Sequence, residues 1–150
     1  MRAAVAEARR AVAKGEGGPF GAVVVKDGII IARGRNRVVA ANDPTAHAEI
    51  VALRRAAKKL GRFHLADCEI FTTCEPCPMC LAAMHWARIR AYHFGCTRDD
   101  AARIGFADRR IHEAFAGKRI LKVPRGIPFL RQECHAVFEL WRRKKNRIHY

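Results

Sequence analysis

Val5, Ala8 and Val12 recur at the spacing of one helix face, which predicts a helix over Arg2–Lys14 that the stretch GEGGPFG ends. The period then changes. AVVVK (Ala22–Lys26) and IIIAR (Ile29–Arg33) are β-branched runs separated by Asp27-Gly28, a dipeptide suited to a tight hairpin. Asn42 to Thr45 supply turn and capping residues ahead of a helix over Ala46–Leu60, where Ile50, Leu53 and Ala57 form one apolar face and Gly61 the stop. A strand EIFTT, a helix Pro78–Ala87 and a strand AYHFGC (Ala91–Cys96) follow. Lys118–Gly126 reads as loop, Phe129–Cys134 as a further strand and Val137–Lys145 as a final helix. Strand, helix, strand alternation implies a parallel part of a sheet with helices on its faces, joined to the antiparallel first hairpin. The expectation is an α/β fold with a central mixed sheet of about five strands.

Composition narrows the class. At 150 residues, half of them hydrophobic, the chain fits one domain over 1–150 with a sizeable core. No apolar run approaches the ~20 residues of a membrane span, and no secretory signal is evident, so a cytoplasmic protein is expected. Its six cysteines are then expected to stay reduced, which turns attention from disulfides to metal or catalysis. The net charge of +15 raises the question of nucleic acid. Much of the excess lies at Arg54, Arg55, Lys58 and Lys59 and in RRKKNR, Arg142–Arg147, without interleaved aromatic residues. Solvated helix faces are the expectation, with no nucleic-acid partner.

TTCEPCPMC, Thr72–Cys80, sits where a strand passes into a helix, with Cys77 at the N-cap and Pro78 at the first helical position. Cys77 and Cys80 fall in the first turn, where free amide N–H groups and the helix dipole favour thiolate, the metal-binding form. Their spacing suits two ligands of one tetrahedral zinc, and Cys74 is assigned to the core. HAE, His47–Glu49, opens the preceding helix. Residues two apart in a regular helix point to nearly opposite sides, so His47 is read as the third ligand and Glu49 as its neighbour. Three protein ligands leave a position for water, the mark of a catalytic zinc, and a carboxylate beside it can carry protons. A lone Cys-x₂-Cys is more often half of a structural zinc site. His47, Glu49, Cys77 and Cys80 together match the signature of zinc nucleobase deaminases. Cys68, Cys96 and Cys134 have no partner motif and are expected in the core.

The strings GGPFGAVVVKDG, NDPTAHAEIVAL, TTCEPCPMC and WARIRAYHFG resemble the cytidine deaminase superfamily, and AARIGFAD and the C-terminal tyrosine resemble its bacterial guanine deaminases. The resemblance implies a three-layer α/β/α fold, one zinc per chain, conversion of guanine to xanthine and ammonia, and a homodimer that exchanges a C-terminal segment, about 136–150. It implies zinc on His47, Cys77 and Cys80, proton transfer by Glu49, stacking of the purine on Phe20 and base recognition by Asn36. Trp86, Asp108 and Tyr150 match further pocket positions. Each has a plainer reading: Phe20 and Trp86 as core, Asn36 as a turn residue, Asp108 as a helix start, Tyr150 as a frayed terminus.

The sequence also departs from the resemblance. Ala107-Asp108 stands where two aspartates are usual, and His85 where a tyrosine is expected. Aminated triazines such as ammeline, with a donor and acceptor edge like guanine's, therefore join the expected substrates. A tRNA adenosine deaminase would share the zinc site and suit the positive charge. A non-enzymatic zinc-stabilised RNA-binding module would explain charge and cysteines but leaves Glu49 without a role.

Overall fold

In the computed structural model of the chain, Asp27 and Gly28 both take left-handed backbone, φ 49° and 77°, which matches the right-handed twist of paired strands. They join β1 (Gly21–Lys26) to β2 (Ile29–Arg35) in an antiparallel pair running from Gly21↔Arg35 to Lys26↔Ile29. β3 (Cys68–Cys74) lies antiparallel on the other side of β1, and β4 (Ala91–Cys96) adds parallel to β3. The described residues are 1–106, 108–118, 127–146 and 148, and among them the mixed sheet has four strands in the order β2-β1-β3-β4.

The helices are α1 (Arg2–Ala13), α2 (Val38–Ala41), α3 (Ala48–Leu60), α4 (Pro78–Trp86), α5 (Arg98–Arg103), α6 (Arg109–Phe115) and α7 (Arg131–Arg143). The strand expected over Phe129–Cys134 is replaced by the start of α7. Leu130 takes φ 49°, which an extended strand cannot continue through, and Arg142 pairs with Glu139 one helical turn away at 2.7 Å. The loop expected over Lys118–Gly126 lies largely outside the described residues. α2, α5 and α6 span 4, 6 and 7 residues, too few for apolar periodicity to reveal them.

Neighbouring residues of β2 point to opposite faces and show how the layers form. Gly34 faces α3, where a Cβ would lie 2.2 Å from the Ala48 carbonyl oxygen and 2.6 Å from the Ala52 nitrogen. Only glycine lets the helix backbone approach that closely. Arg35 points the other way, and its Nη1 donates to Glu7 Oε2 of α1 at 3.3 Å. α1 thus covers one face of the sheet and α3 the other, giving three layers. On the α3 side, Ala22, Val24 and Ile70 of the sheet pack with Leu53 and Ala56 of α3, Leu65, and Met84 of α4. Burial of each large aliphatic side chain here contributes about 2 kcal/mol.

The chain divides into two compact units, Met1–Arg119 and Ile120–Tyr150. Within the second, Val137, Phe138 and Leu140 of α7 are exposed. Cys68 is fully buried as expected, whereas Cys96 and Cys134 are exposed. Cys96 stands at the end of β4, outermost of the described strands, and Cys134 belongs to α7, none of whose residues is buried.

Candidate active site and metal centre

Two helix starts converge at the site. His47 is the N-cap of α3 and Cys77 the N-cap of α4, both with extended backbone. Pro78 enters α4 at its first position, where a missing N–H costs nothing, and Cys80 follows within the first turn. This brings the His47 Nδ1 to 3.6 Å from both the Cys77 and the Cys80 Sγ. All three ligand atoms lie within 4.8 Å of one another. Bond lengths of zinc to nitrogen and sulfur at a tetrahedral angle require an N···S separation of about 3.6 Å. Both nitrogen–sulfur separations therefore fit zinc.

The electrostatics agree with that fit. The Cys77 thiol is pulled down to about 4, first by the hydrogen bond it receives from Cys80 and then by His47, against the opposing effect of burial. Cys80, as the donor and itself buried, is pushed up. His47 is raised, chiefly by its hydrogen bond to Cys77. Two α-helix N-termini add their positive ends to the same point. Glu49 lies in the first turn of α3, 6% exposed, and burial raises its pKa. A carboxyl so raised is suited to taking and returning a proton nearer neutral pH. The Cys74 thiol, also buried, is pushed up to about 11 and donates to the Thr97 carbonyl at 3.5 Å, so it stays a neutral thiol.

His47, Glu49 and Cys77 lie on the lining of a cavity of about 740 Å³, which Phe20, Asn36 and Asp108 also line. Phe20 meets Phe106 edge to face, centroids 4.9 Å apart. Asn36 follows β2 and is 5% exposed, and its Oδ1 accepts from the Gly18 and Val38 backbone N–H groups, each at 3.2 Å. Both neighbours are donors, so the carboxamide oxygen must face them and its NH₂ is left out of these two bonds. Asp108 is the N-cap of α6 but makes no capping bond. Its Oδ2 is instead 3.2 Å from His112 Nε2.

Trp86 does not line this cavity and is 60% exposed. Met84 and Cys80 point inward from α4, and a residue two beyond Met84 is turned about 200° away from it. His85 is likewise exposed and outside the cavity. Tyr150 and Ala107 lie outside the described residues. Phe106, Glu75 and Arg98 also line the cavity without having been singled out from sequence. An aromatic two residues before Asp108 was a usable signal for Phe106; no local pattern marks the other two.

The zinc-binding region of cytidine and deoxycytidylate deaminases matches residues 1–96. A guanine deaminase of Bacillus subtilis is 47% identical over 155 residues, covering 100% of this chain and 96% of that protein. A solved structure of guanine deaminase from Bacillus subtilis superimposes with a TM-score of 0.90 at 45% identity, over 99% of this chain and 95% of the other. A solved structure in complex with 2,6-diaminopurine matches with a TM-score of 0.67 at 38% identity, over 70% of this chain and 59% of the other. A tRNA-specific adenosine deaminase of Agrobacterium fabrum is 47% identical over 95 residues, 63% of this chain and 62% of that protein.

Proposed function

The chain belongs to the cytidine and deoxycytidylate deaminase family and is a hydrolytic deaminase, and from that premise we propose that it converts free guanine and water to xanthine and ammonia, with one zinc per chain. The observation that carries this reading is the buried Glu49 beside His47, Cys77 and Cys80, in a cavity that Phe20, Asn36, Phe106 and Asp108 also line. Over the whole chain the similarity is greater to a guanine deaminase, at 47% identity, than to a tRNA-specific adenosine deaminase that also spans 99% of the chain, at 37%, which favours the free base over tRNA. The family's chemistry sets aside the non-enzymatic RNA-binding alternative. Ammeline presents a similar edge, and the reading extends to it as a second substrate.

His47, Cys77 and Cys80 would hold zinc, which when bound supplies an activated water as nucleophile. Phe20 offers a ring against which a purine packs. The Asn36 NH₂ donates to an acceptor of the base, and the Asp108 carboxylate accepts from a ring N–H. Glu49 takes one proton of the attacking water and delivers it to a ring nitrogen, then takes the second from the hydroxyl newly bonded to C2 and delivers it to the amine that departs from C2 as ammonia. Its raised pKa keeps both directions of transfer accessible.

The proposal includes a homodimer in which about residues 136–150 are exchanged and Tyr150 completes the partner's site. It is supported by exposed Trp86, Tyr92 and Phe94 around α4 and β4, and by the exposed apolar residues of α7. The proposal also includes a cytoplasmic role in purine catabolism; among the described residues no helix is long and apolar enough to cross a membrane. The deciding experiment is ammonia release by the zinc-loaded protein from guanine, ammeline, adenine, cytidine and tRNA. Guanine is expected to react well, and strong tRNA deamination without activity on guanine would overturn the reading.

A further inference from the structure

Glu75 of Cys-Glu-Pro-Cys neither holds metal nor moves a proton, yet its carboxylate is forked by one arginine. Its Oε2 accepts from the backbone N–H of Arg98 at 3.1 Å and from Arg98 Nε at 3.2 Å, while Oε1 accepts from Arg98 Nη2. Its own N–H donates to the Cys96 carbonyl at 2.8 Å, and the neighbouring Cys74 thiol donates to the Thr97 carbonyl at 3.5 Å. Residues 74 and 75 are thus tied to 96, 97 and 98. On one side of this junction the chain passes through the buried, stiff Pro76 into Cys77. On the other it enters α5, whose start is fixed by a capping box between Thr97 and Asp100. α5 leads directly to Phe106 and Asp108 on the cavity lining.

A planar guanidinium forked onto a carboxylate constrains both distance and angle, which a single hydrogen bond does not. We propose that Glu75 and Arg98 are a positioning pair that holds the Cys77 loop at metal-binding geometry and registers it with the cavity wall built by α5 and α6. Although both residues lie on the cavity lining, the pair acts on the metal site through Cys77 and holds no metal itself. Supporting groups around a metal site commonly change its affinity by about 10- to 100-fold.

The test is the rate at which zinc-loaded protein releases its metal to an excess of a colorimetric chelator, with thermal melting measured in parallel. Glu75→Gln keeps the side-chain shape, loses the charge, and is expected to release zinc at least about 10-fold faster. Arg98→Lys retains one charged contact and is expected to fall between Glu75→Gln and the wild type. Arg98→Met added to Glu75→Gln is expected to accelerate release no further, because the interaction is already gone. Arg103→Ala breaks an ion pair to Asp100 on the same helix, 2.8 Å in length, and is expected to leave release unchanged. Lowered melting in Glu75→Gln with wild-type zinc release would make the pair a mere staple of the fold and overturn the proposal. The inference rests on the zinc reading but not on guanine, since no substrate enters the assay. A wild type that bound no zinc would overturn both readings, and a wild type that holds zinc beside an unchanged Glu75→Gln would overturn this one alone.

Discussion

Replacing Gly17 by alanine separates base recognition from metal binding. A Cβ at Gly17 would lie 2.1 Å from Asn36 Oδ1 and 3.0 Å from its Cγ. Ordinary contact begins near about 3.4 Å, so the carboxamide must retreat by more than about 1 Å. Its oxygen is the acceptor for two backbone N–H groups at 3.2 Å, and the side chain is buried, so retreat breaks both bonds. At about 1 kcal/mol each, the loss of stability is about 2 kcal/mol. Loss of activity is expected to be larger, because a recognition group displaced by about 1 Å can cost about 10²-fold in rate. The assay is steady-state deamination of guanine, with zinc content and melting temperature measured on the same samples. Gly28→Ala supplies the control: φ is 77° in the remote hairpin and nothing lies within 4 Å, so it strains the backbone by about 1–2 kcal/mol and leaves kcat/KM alone. A Gly17→Ala protein with wild-type kcat/KM would refute the role of Asn36 in reading the base.

Glu49→Ala is expected to keep zinc while losing at least about 10²-fold in kcat, measured by metal analysis and ammonia release. Arg88 takes φ 56° just beyond the α4 C-cap Ala87, a place that favours glycine, so Arg88→Gly is expected to raise stability by about 1 kcal/mol, read as a melting temperature higher by a few degrees. Arg35→Ala removes a partner of the buried Glu7 and is expected to cost about 2 kcal/mol in chemical denaturation. The same variant tests a pH dependence. The hydrogen bond from Arg35 lowers the pKa of Glu16 below its ordinary 4.5, so the stability from this pair is present above that value and is lost as pH falls through the lowered one. Arg35→Ala should therefore melt with a flatter dependence on pH on the acid side.

The elements set within a few residues were legible in the chain itself. β4 forms over Ala91–Cys96 as expected, and α1, α3 and α4 differ from expectation by two residues or fewer at their ends. The reason is local: apolar period, Asp27-Gly28, Pro78 and Gly61 each act on their own stretch of backbone. The grouping of His47, Cys77 and Cys80 was legible for a related reason, since the Cys-x₂-Cys spacing and the first turn of α4 restrict where two thiols can point. Other outcomes needed the whole chain to pack. α7 took the stretch expected as a strand because a fifth strand needs a pairing partner, which no period within Phe129–Cys134 can supply. Trp86 is turned away by the burial of Met84 and Cys80 on the same helix. Glu75 meets Arg98 across 23 positions of sequence because parallel pairing of β3 with β4 brings Cys74 beside Cys96. Backbone periodicity acts over one or two turns, whereas the partner of a side chain on a sheet edge or cavity wall is chosen by whichever element packs against it. That is why the grouping of His47 with Cys77 and Cys80 was visible in the sequence, and the contact of Glu75 with Arg98 became visible only in the folded chain.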